Sequence, residues 1–421
     1  MDKFIVKGPT PLNGDIAISG SKNAALPLIA ASLLADEPVT LENVPRLQDI
    51  YTFNNVLRVV GAQVQFQDTE NRIIIDPSNV NYLEAPYDLV RKMRASFYML
   101  GALVGKHGYA KVSMPGGCAW GPRPVDLHLR GLEAMGISIS LDKGYVIAKA
   151  GSSVPGGRFR LEPSSVGATI NILLAAVLRA ESFIIENAAK EPDVVQLCKV
   201  LNAMGADISG VGSDTLTIKQ VRRLSGGCFL NDPDRIEVGT FMIAAAMLPG
   251  SSLRLVGCDA KHLGNFPELL RQTGAQVQVE DEIISVQAPE ILKPVNITTE
   301  IYPGFPTDLQ AQWATMLTQA HGDSTVTDTV YFDRFSYVPE LNRLGAKIKL
   351  QQNTAYIQGP TPLEGASVMS TDLRASVSLV LAGMAAKNTS EIFRIYHLDR
   401  GYESLEDKLG AVGAKVTRAE E

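Results

Sequence analysis

Cysteine is scarce in this 421-residue chain: Cys118, Cys198, Cys228 and Cys258 are the full set, and no two form a CxxC pair. So few thiols exclude a disulfide scaffold and point to a reducing compartment. The five histidines, His107, His128, His262, His321 and His397, show neither HxH nor HExxH spacing. That argues against a structural or catalytic zinc site. Positive charge is not in excess, since the formal net charge is -6. Such a chain exerts no global pull on nucleic acid or on an anionic membrane, so a nucleic-acid clamp with a basic lining is disfavoured and no membrane partner is expected. Long apolar runs are also missing. The stretch from Ala24 to Ala31 is the longest near the N-terminus, and Pro27 interrupts it. It is far too short to cross a bilayer. The opening Met1-Asp2-Lys3-Phe4 lacks the charged-then-apolar pattern of a signal peptide, and a cytoplasmic location is expected.

What the chain does have is apolar material for more than one core, at 45% hydrophobic and 20% charged residues. It also has internal repetition. An amphipathic helix, a glycine near its end and an alternating strand recur at Gly61-Ala62, Gly136-Ile137, Gly205-Ala206, Gly274-Ala275, Gly345-Ala346 and Gly413-Ala414. The spacing is roughly 70 residues throughout. A glycine there can take the left-handed conformation that ends a helix and turns the chain into a strand.

A second element recurs upstream of each glycine: a polar turn, then a helix of small apolar residues. The copies are Ser19-Gly20-Ser21-Lys22-Asn23, Arg94-Ala95-Ser96, Ser165-Val166-Gly167-Ala168-Thr169, Val238-Gly239-Thr240, Thr307-Asp308-Leu309 and Leu373-Arg374-Ala375-Ser376. Helices apolar on nearly all sides are buried ones. Each unit is thus α+β, with a buried helix, an outer helix and strands between them. Six units are expected to form two domains of pseudo-threefold symmetry, with helices packed inside sheets. The strands near residues 3–6 and 15–19 precede the first unit and are expected to complete the second domain. The domains then cover 21–231, and 1–20 plus 232–421. Helix N-termini expose unpaired N–H groups and carry partial positive charge, so the polar turns suit anions. Lys22, Arg94, Arg123, Arg374 and Arg400 lie at or beside such turns.

The sharpest local signal is Met114-Pro115-Gly116-Gly117-Cys118-Ala119-Trp120-Gly121-Pro122-Arg123-Pro124-Val125-Asp126-Leu127-His128. Its glycines supply mobility and its prolines fix the direction of Arg123. A thiol beside a cation in such a loop is placed to do chemistry, because nearby positive charge shifts thiol ionisation. Cys198, Cys228 and Cys258 lack that setting and read as buried spacers. His128 reads equally as a functional group or as a structural hydrogen-bonder.

These segments, with Glu186-Asn187-Ala188-Ala189, Phe305-Pro306-Thr307-Asp308 and His397-Leu398-Asp399-Arg400-Gly401-Tyr402-Glu403, run in order along the whole chain and resemble the enolpyruvyl transferase family. The resemblance implies a two-domain inside-out α/β barrel. It implies transfer of the enolpyruvyl group of phosphoenolpyruvate to the 3-hydroxyl of UDP-N-acetylglucosamine, with release of phosphate, at the first committed step of peptidoglycan synthesis. It assigns Cys118 as the acid that reaches the C3 methylene, Asp308 as the carboxylate near the attacking hydroxyl, and Lys22 as a further catalytic group. Phosphoenolpyruvate falls to Lys22, Asn23, Arg123, Arg374 and Arg400. The nucleotide sugar falls to Arg94, Arg123, Pro124, Val125, Asp126, Leu127, Ser165, Val166, Gly167, Asp308 and Val330. Asp308 is also expected to gain from a helix N-terminus, which favours the ionised base. No cofactor or metal is implied, since the activated group arrives on the substrate. One departure bears on the diphosphate contact: where relatives carry Lys-Val before the Ser-Val-Gly turn, this chain has Pro163-Ser164. A sister enzyme that uses shikimate 3-phosphate shares the fold but lacks the Pro-Gly-Gly-Cys and Arg-Pro-Val-Asp-Leu segments.

Overall fold

The computed structural model describes residues 2–91, 93–115 and 125–420. The chain divides into two compact units, one of residues 1–19 with 233–421 and the other of residues 20–232. Each has its own hydrophobic core.

Each unit carries three four-stranded sheets, and all six sheets share one strand order. Strand Gly157–Arg160 runs parallel to Ser182–Glu186, which pairs antiparallel with Thr215–Lys219, which pairs antiparallel with Asp207–Ser209. The other five sheets repeat the pattern of one parallel and two antiparallel pairings. Between the strands of this sheet lie a buried helix, Val166–Ala176, and an outer helix, Pro192–Ala203. The sheets stay separate, each with its own edge strands, so the architecture is mixed α/β without a closed β-barrel among the described residues.

The unit's logic breaks at the chain crossings. Strand Asn13–Ala17 precedes helix Lys22–Ala31, yet it pairs with Ser252–Val256. Strand Gly227–Leu230 precedes helix Arg235–Met247, yet it pairs with Val39–Glu42. The two edge strands have been exchanged. Strand Asp2–Gly8 lies between Asn388–Phe393 and Lys415–Glu420 and pairs antiparallel with both. The first strand of the chain therefore completes the last sheet.

Local chemistry explains where the helices start and stop. Ser21, Ser165, Asp234 and Asp372 accept backbone N–H bonds as N-caps of the buried helices that follow them. Gly61, Gly136, Gly205, Gly274, Gly345 and Gly413 all have φ between 95° and 111°. That is the positive-φ region an L side chain rarely adopts, and in each unit it ends the outer helix. Val238-Gly239-Thr240 is not a polar turn. Asp234 caps the helix earlier, so these residues lie buried inside Arg235–Met247. The buried helices Tyr98–His107 and Val166–Ala176 pack closely: a Cβ on Gly101 would lie 2.3 Å from the Asn171 carbonyl oxygen, and one on Gly105 2.4 Å from that of Leu174. No helix among the described residues is long and apolar enough to cross a membrane.

Candidate active site

The unit of residues 1–19 and 233–421 gathers a carboxylate among guanidiniums. Asp308 sits in the short 3-10 turn Thr307–Leu309, ahead of helix Gln310–Leu317. Arg334 Nη1 lies 2.6 Å from its Oδ1, and Arg374 Nη2 lies 3.3 Å from its Oδ2. Burial alone would raise the Asp308 carboxyl, but Arg334 and Arg374, with Arg235 as a third positive charge, outweigh it and hold the group well below the usual carboxylate range. The ionised state thus comes from paired guanidiniums.

Arg374 is buried, and its Nη1 has no hydrogen-bond partner among the described residues. An unsatisfied guanidinium N–H inside a protein is costly and suits an incoming anion. The Arg374 guanidinium lies over the Tyr402 ring, 5.5 Å from its centroid. The Tyr402 hydroxyl is 2.8 Å from Thr240 Oγ1. Gln312 Nε2 donates to the Tyr402 hydroxyl at 3.3 Å and to the Asp308 carbonyl at 3.0 Å. The fourth unit, which carries no evident chemistry in sequence, thus braces the site through Thr240. Val330 follows from Asp328, whose Oδ1 accepts the N–H of Val330 at 2.9 Å and of Tyr331 at 2.7 Å. The other Asp328 oxygen accepts from Thr307 Oγ1 at 2.7 Å, which ties this loop to the Asp308 turn. Arg400 ends the 3-10 turn Ile395–Arg400 and is partly buried.

The unit of residues 20–232 carries a second group. Lys22 opens its helix, is buried, and places Nζ 3.1 Å from Asp49 Oδ2; Asn23 beside it is partly buried. Arg94 starts the 3-10 turn Arg94–Phe97. Val125 is buried and Asp126 and Leu127 open helix Asp126–Met135. Ser165 caps the helix on which Val166 and Gly167 form the first turn, with its Oγ accepting from the Ala168 N–H at 3.3 Å. His128 draws these segments together. Its ring meets Phe97 edge-on at 5.3 Å, its Nδ1 is 2.9 Å from Asn171 Nδ2, and a Cβ on Gly167 would lie 3.1 Å from its Cε1. Burial, with the charge of Arg94, pushes its pKa down to about 3, so the imidazole stays neutral at physiological pH. That favours the structural reading of His128.

Cys118, Arg123 and Pro124 lie outside the described residues. Among the other cysteines, burial pushes the Cys198 thiol up to about 12 and that of Cys258 to about 11, as suits inert spacers. Cys228 differs from expectation. It is exposed, because its strand Gly227–Leu230 forms the edge of a sheet. Arg334, Tyr402 and Thr240 are the site residues that sequence reasoning missed. The signal for Arg334 was a lone cation between aromatics in Tyr331-Phe332-Asp333-Arg334-Phe335, close after Val330.

A carboxylate gripped by arginines and, in each unit, a capped helix start beside a buried cation are features suited to small anions. Residues 6–409 match the family model of EPSP synthase (3-phosphoshikimate 1-carboxyvinyltransferase). The chain belongs to this family, that of the enolpyruvyl transferases. It is 49% identical over 420 residues to UDP-N-acetylglucosamine 1-carboxyvinyltransferase of Chlorobaculum parvum, covering 99% of this chain and 98% of that one. The protein of the same name from Pectobacterium carotovorum is 48% identical, with both chains covered in full at 100%. Among solved structures, the enolpyruvyl transferase NikO from Streptomyces tendae superposes with a TM-score of 0.91 at 26% identity, covering 99% of each chain. EPSP synthase from Acinetobacter baumannii shares the fold, with a TM-score of 0.77 at 17% identity over 100% of each chain.

Proposed function

We propose that the protein transfers the enolpyruvyl group of phosphoenolpyruvate to the 3-hydroxyl of UDP-N-acetylglucosamine and releases phosphate, the first committed step of peptidoglycan synthesis. The observation that carries this reading is the likeness, at 49% identity across almost the whole chain, to a protein named for that reaction. The site geometry supports it from the side of the chemistry.

The acceptor oxygen bonds to C2 of phosphoenolpyruvate while C3 gains a proton. C3 then loses a proton as the bond from C2 to the phosphate oxygen breaks, leaving an enol ether and inorganic phosphate. An acid must reach C3, and a base must take the hydroxyl proton. Cys118 is the acid and Asp308 the base. Lys22, Asn23, Arg123, Arg374 and Arg400 hold the phosphate and carboxylate of phosphoenolpyruvate, for which the arginine fork is suited. Arg94, the segment Arg123-Pro124-Val125-Asp126-Leu127, and Ser165, Val166 and Gly167 hold the nucleotide sugar, whose sugar ring meets Asp308 and Val330.

Asp308 gains a specific behaviour from its partners. It is ionised across the neutral range, so it is always able to accept a proton, but two guanidiniums make it a weak base. A substrate carboxylate that draws Arg374 away removes part of that depression. Basicity then rises when the acceptor hydroxyl must be deprotonated.

The test is phosphate release from phosphoenolpyruvate with each acceptor in turn. Release with UDP-N-acetylglucosamine is expected. Release with shikimate 3-phosphate alone would assign the protein to the sister reaction.

A further inference from the structure

Arg418 lies on the last strand, Lys415–Glu420, opposite Phe4 in register. Its guanidinium is shared among three carboxylates. Nη2 donates to Asp399 Oδ1 at 2.6 Å and Nη1 to Asp399 Oδ2 at 3.2 Å, a two-pronged pairing. Nε donates to Glu406 at 2.6 Å, and Nη1 reaches Asp2 at 3.3 Å. The guanidinium also lies 5.1 Å from the centroid of the buried Phe4 ring. Asp399 immediately precedes Arg400.

The segment that carries Arg400 needs such a tether. It is bracketed by two non-glycine residues in the left-handed region, Arg394 at φ 58° and Ser404 at φ 46°. Backbone of that kind persists only where its surroundings fix it. On the C-terminal side the fixing is internal: Tyr402 is held by Thr240, and the Glu403 carboxylate accepts from Ser19 Oγ at 2.8 Å. On the N-terminal side, the Asp399 carboxylate is held by Arg418. We propose that Arg418 is a positioning residue for Arg400, holding from outside the turn that presents Arg400 to the anionic substrate.

An isolated surface ion pair adds little to stability, but a two-pronged arginine–carboxylate pair fixes orientation. The consequence therefore falls on geometry more than on folding. The inference rests on Arg400 binding phosphoenolpyruvate, as proposed above.

The test is steady-state kinetics of the full chain with each substrate varied separately. Arg418→Ala should raise KM for phosphoenolpyruvate by about tenfold and leave kcat and KM for UDP-N-acetylglucosamine within about twofold, the pattern of a lost binding contact. Asp399→Asn should reproduce this, and the double variant should be no worse than either single one. Glu406→Gln, which loses an Arg418 bond that does not reach the turn, should leave KM for phosphoenolpyruvate unchanged. Arg418→Lys keeps the charge without the fork and should fall between wild type and Arg418→Ala; it also serves if the alanine variant does not fold. An unchanged KM for phosphoenolpyruvate in Arg418→Ala overturns the proposal, as does an equal rise for both substrates with a lowered melting midpoint. Absence of turnover in the wild type sinks the substrate reading instead. Amide hydrogen exchange over residues 395–401 then decides the positioning role: it quickens in Arg418→Ala if Arg418 holds the turn and is unchanged if it does not.

Discussion

Asp308 is paired with two guanidiniums, and this sets how the site responds to pH. Its carboxyl lies well below the ordinary range, so no acid limb from Asp308 should appear near neutrality in the wild type. Replacing Arg334 by alanine removes the contact at 2.6 Å. The Asp308 pKa should then rise, with Arg374 and Arg235 still holding it down, and the acid limb of kcat/KM should move to higher pH than in the wild type. Arg400→Ala, which removes a proposed contact to phosphoenolpyruvate, should lose about ten- to a hundred-fold in kcat/KM, from the 1.5–3 kcal/mol typical of a charge-assisted hydrogen bond. His128 offers a separate test. Its pKa is near 3 in the folded state, below an unfolded value of about 6.5. Above pH about 6.5 both states are neutral there and its full contribution is present; as pH falls toward 3 the unfolded state binds the proton and stability is lost, by up to about 1.4 kcal/mol per pH unit. Denaturant melts between pH 4 and pH 7 should show a shallower acid loss in His128→Gln. For Cys118, alanine should leave the far-ultraviolet spectrum intact and cripple turnover, and an epoxide-phosphonate mimic of phosphoenolpyruvate should alkylate it. Peptide mapping that finds the label on exposed Cys228 would contradict that reading. At this scale the residues legible in sequence were those at helix starts, because capping and dipole rules mark them. Arg334 sits in a loop, and only the fold brings it to Asp308.

Among the elements, the helix-ending glycines were the clearest signal, and the structure gives them one shared conformation. The repeated unit could be read because a positive-φ stop and a strand alternation leave marks in sequence at fixed places. Val238-Gly239-Thr240 misled because a small residue can serve two purposes. Gly239 lies where a Cβ would come 2.4 Å from Leu309 Cδ1, so it permits close packing inside the helix and has no part in a turn. The same economy of space separates Tyr98–His107 from Val166–Ala176. Gly105→Ala should therefore cost about 1–3 kcal/mol through overpacking, seen as a lower denaturant midpoint with an unchanged m-value. A neutral result would mean that the two helices can part more easily than their backbone contact indicates.

For the molecule as a whole, the exchanged edge strands mean that one unit is a continuous stretch, residues 20–232, while the other joins residues 1–19 to 233–421. Residues 2–8 form an interior strand of the last sheet, so its hydrogen bonds cannot be satisfied without them. A fragment of residues 233–421 should accordingly stay unfolded by near-ultraviolet circular dichroism. Adding a peptide of residues 1–19 should restore the signal. Which strands would change places was legible only in outline, since strand pairing depends on partners distant in sequence and leaves no local mark. Protein synthesis meets the same arrangement in time. The ribosome makes Phe4 and Val6 about 400 residues before Val416, yet their strands share one sheet. Until residues 388–420 have been made, the strand of residues 2–8 lacks both its neighbours, whereas residues 20–232 contain every strand of their own three sheets. An apolar strand that stays unpaired for so long is a place where a holding chaperone has something to protect.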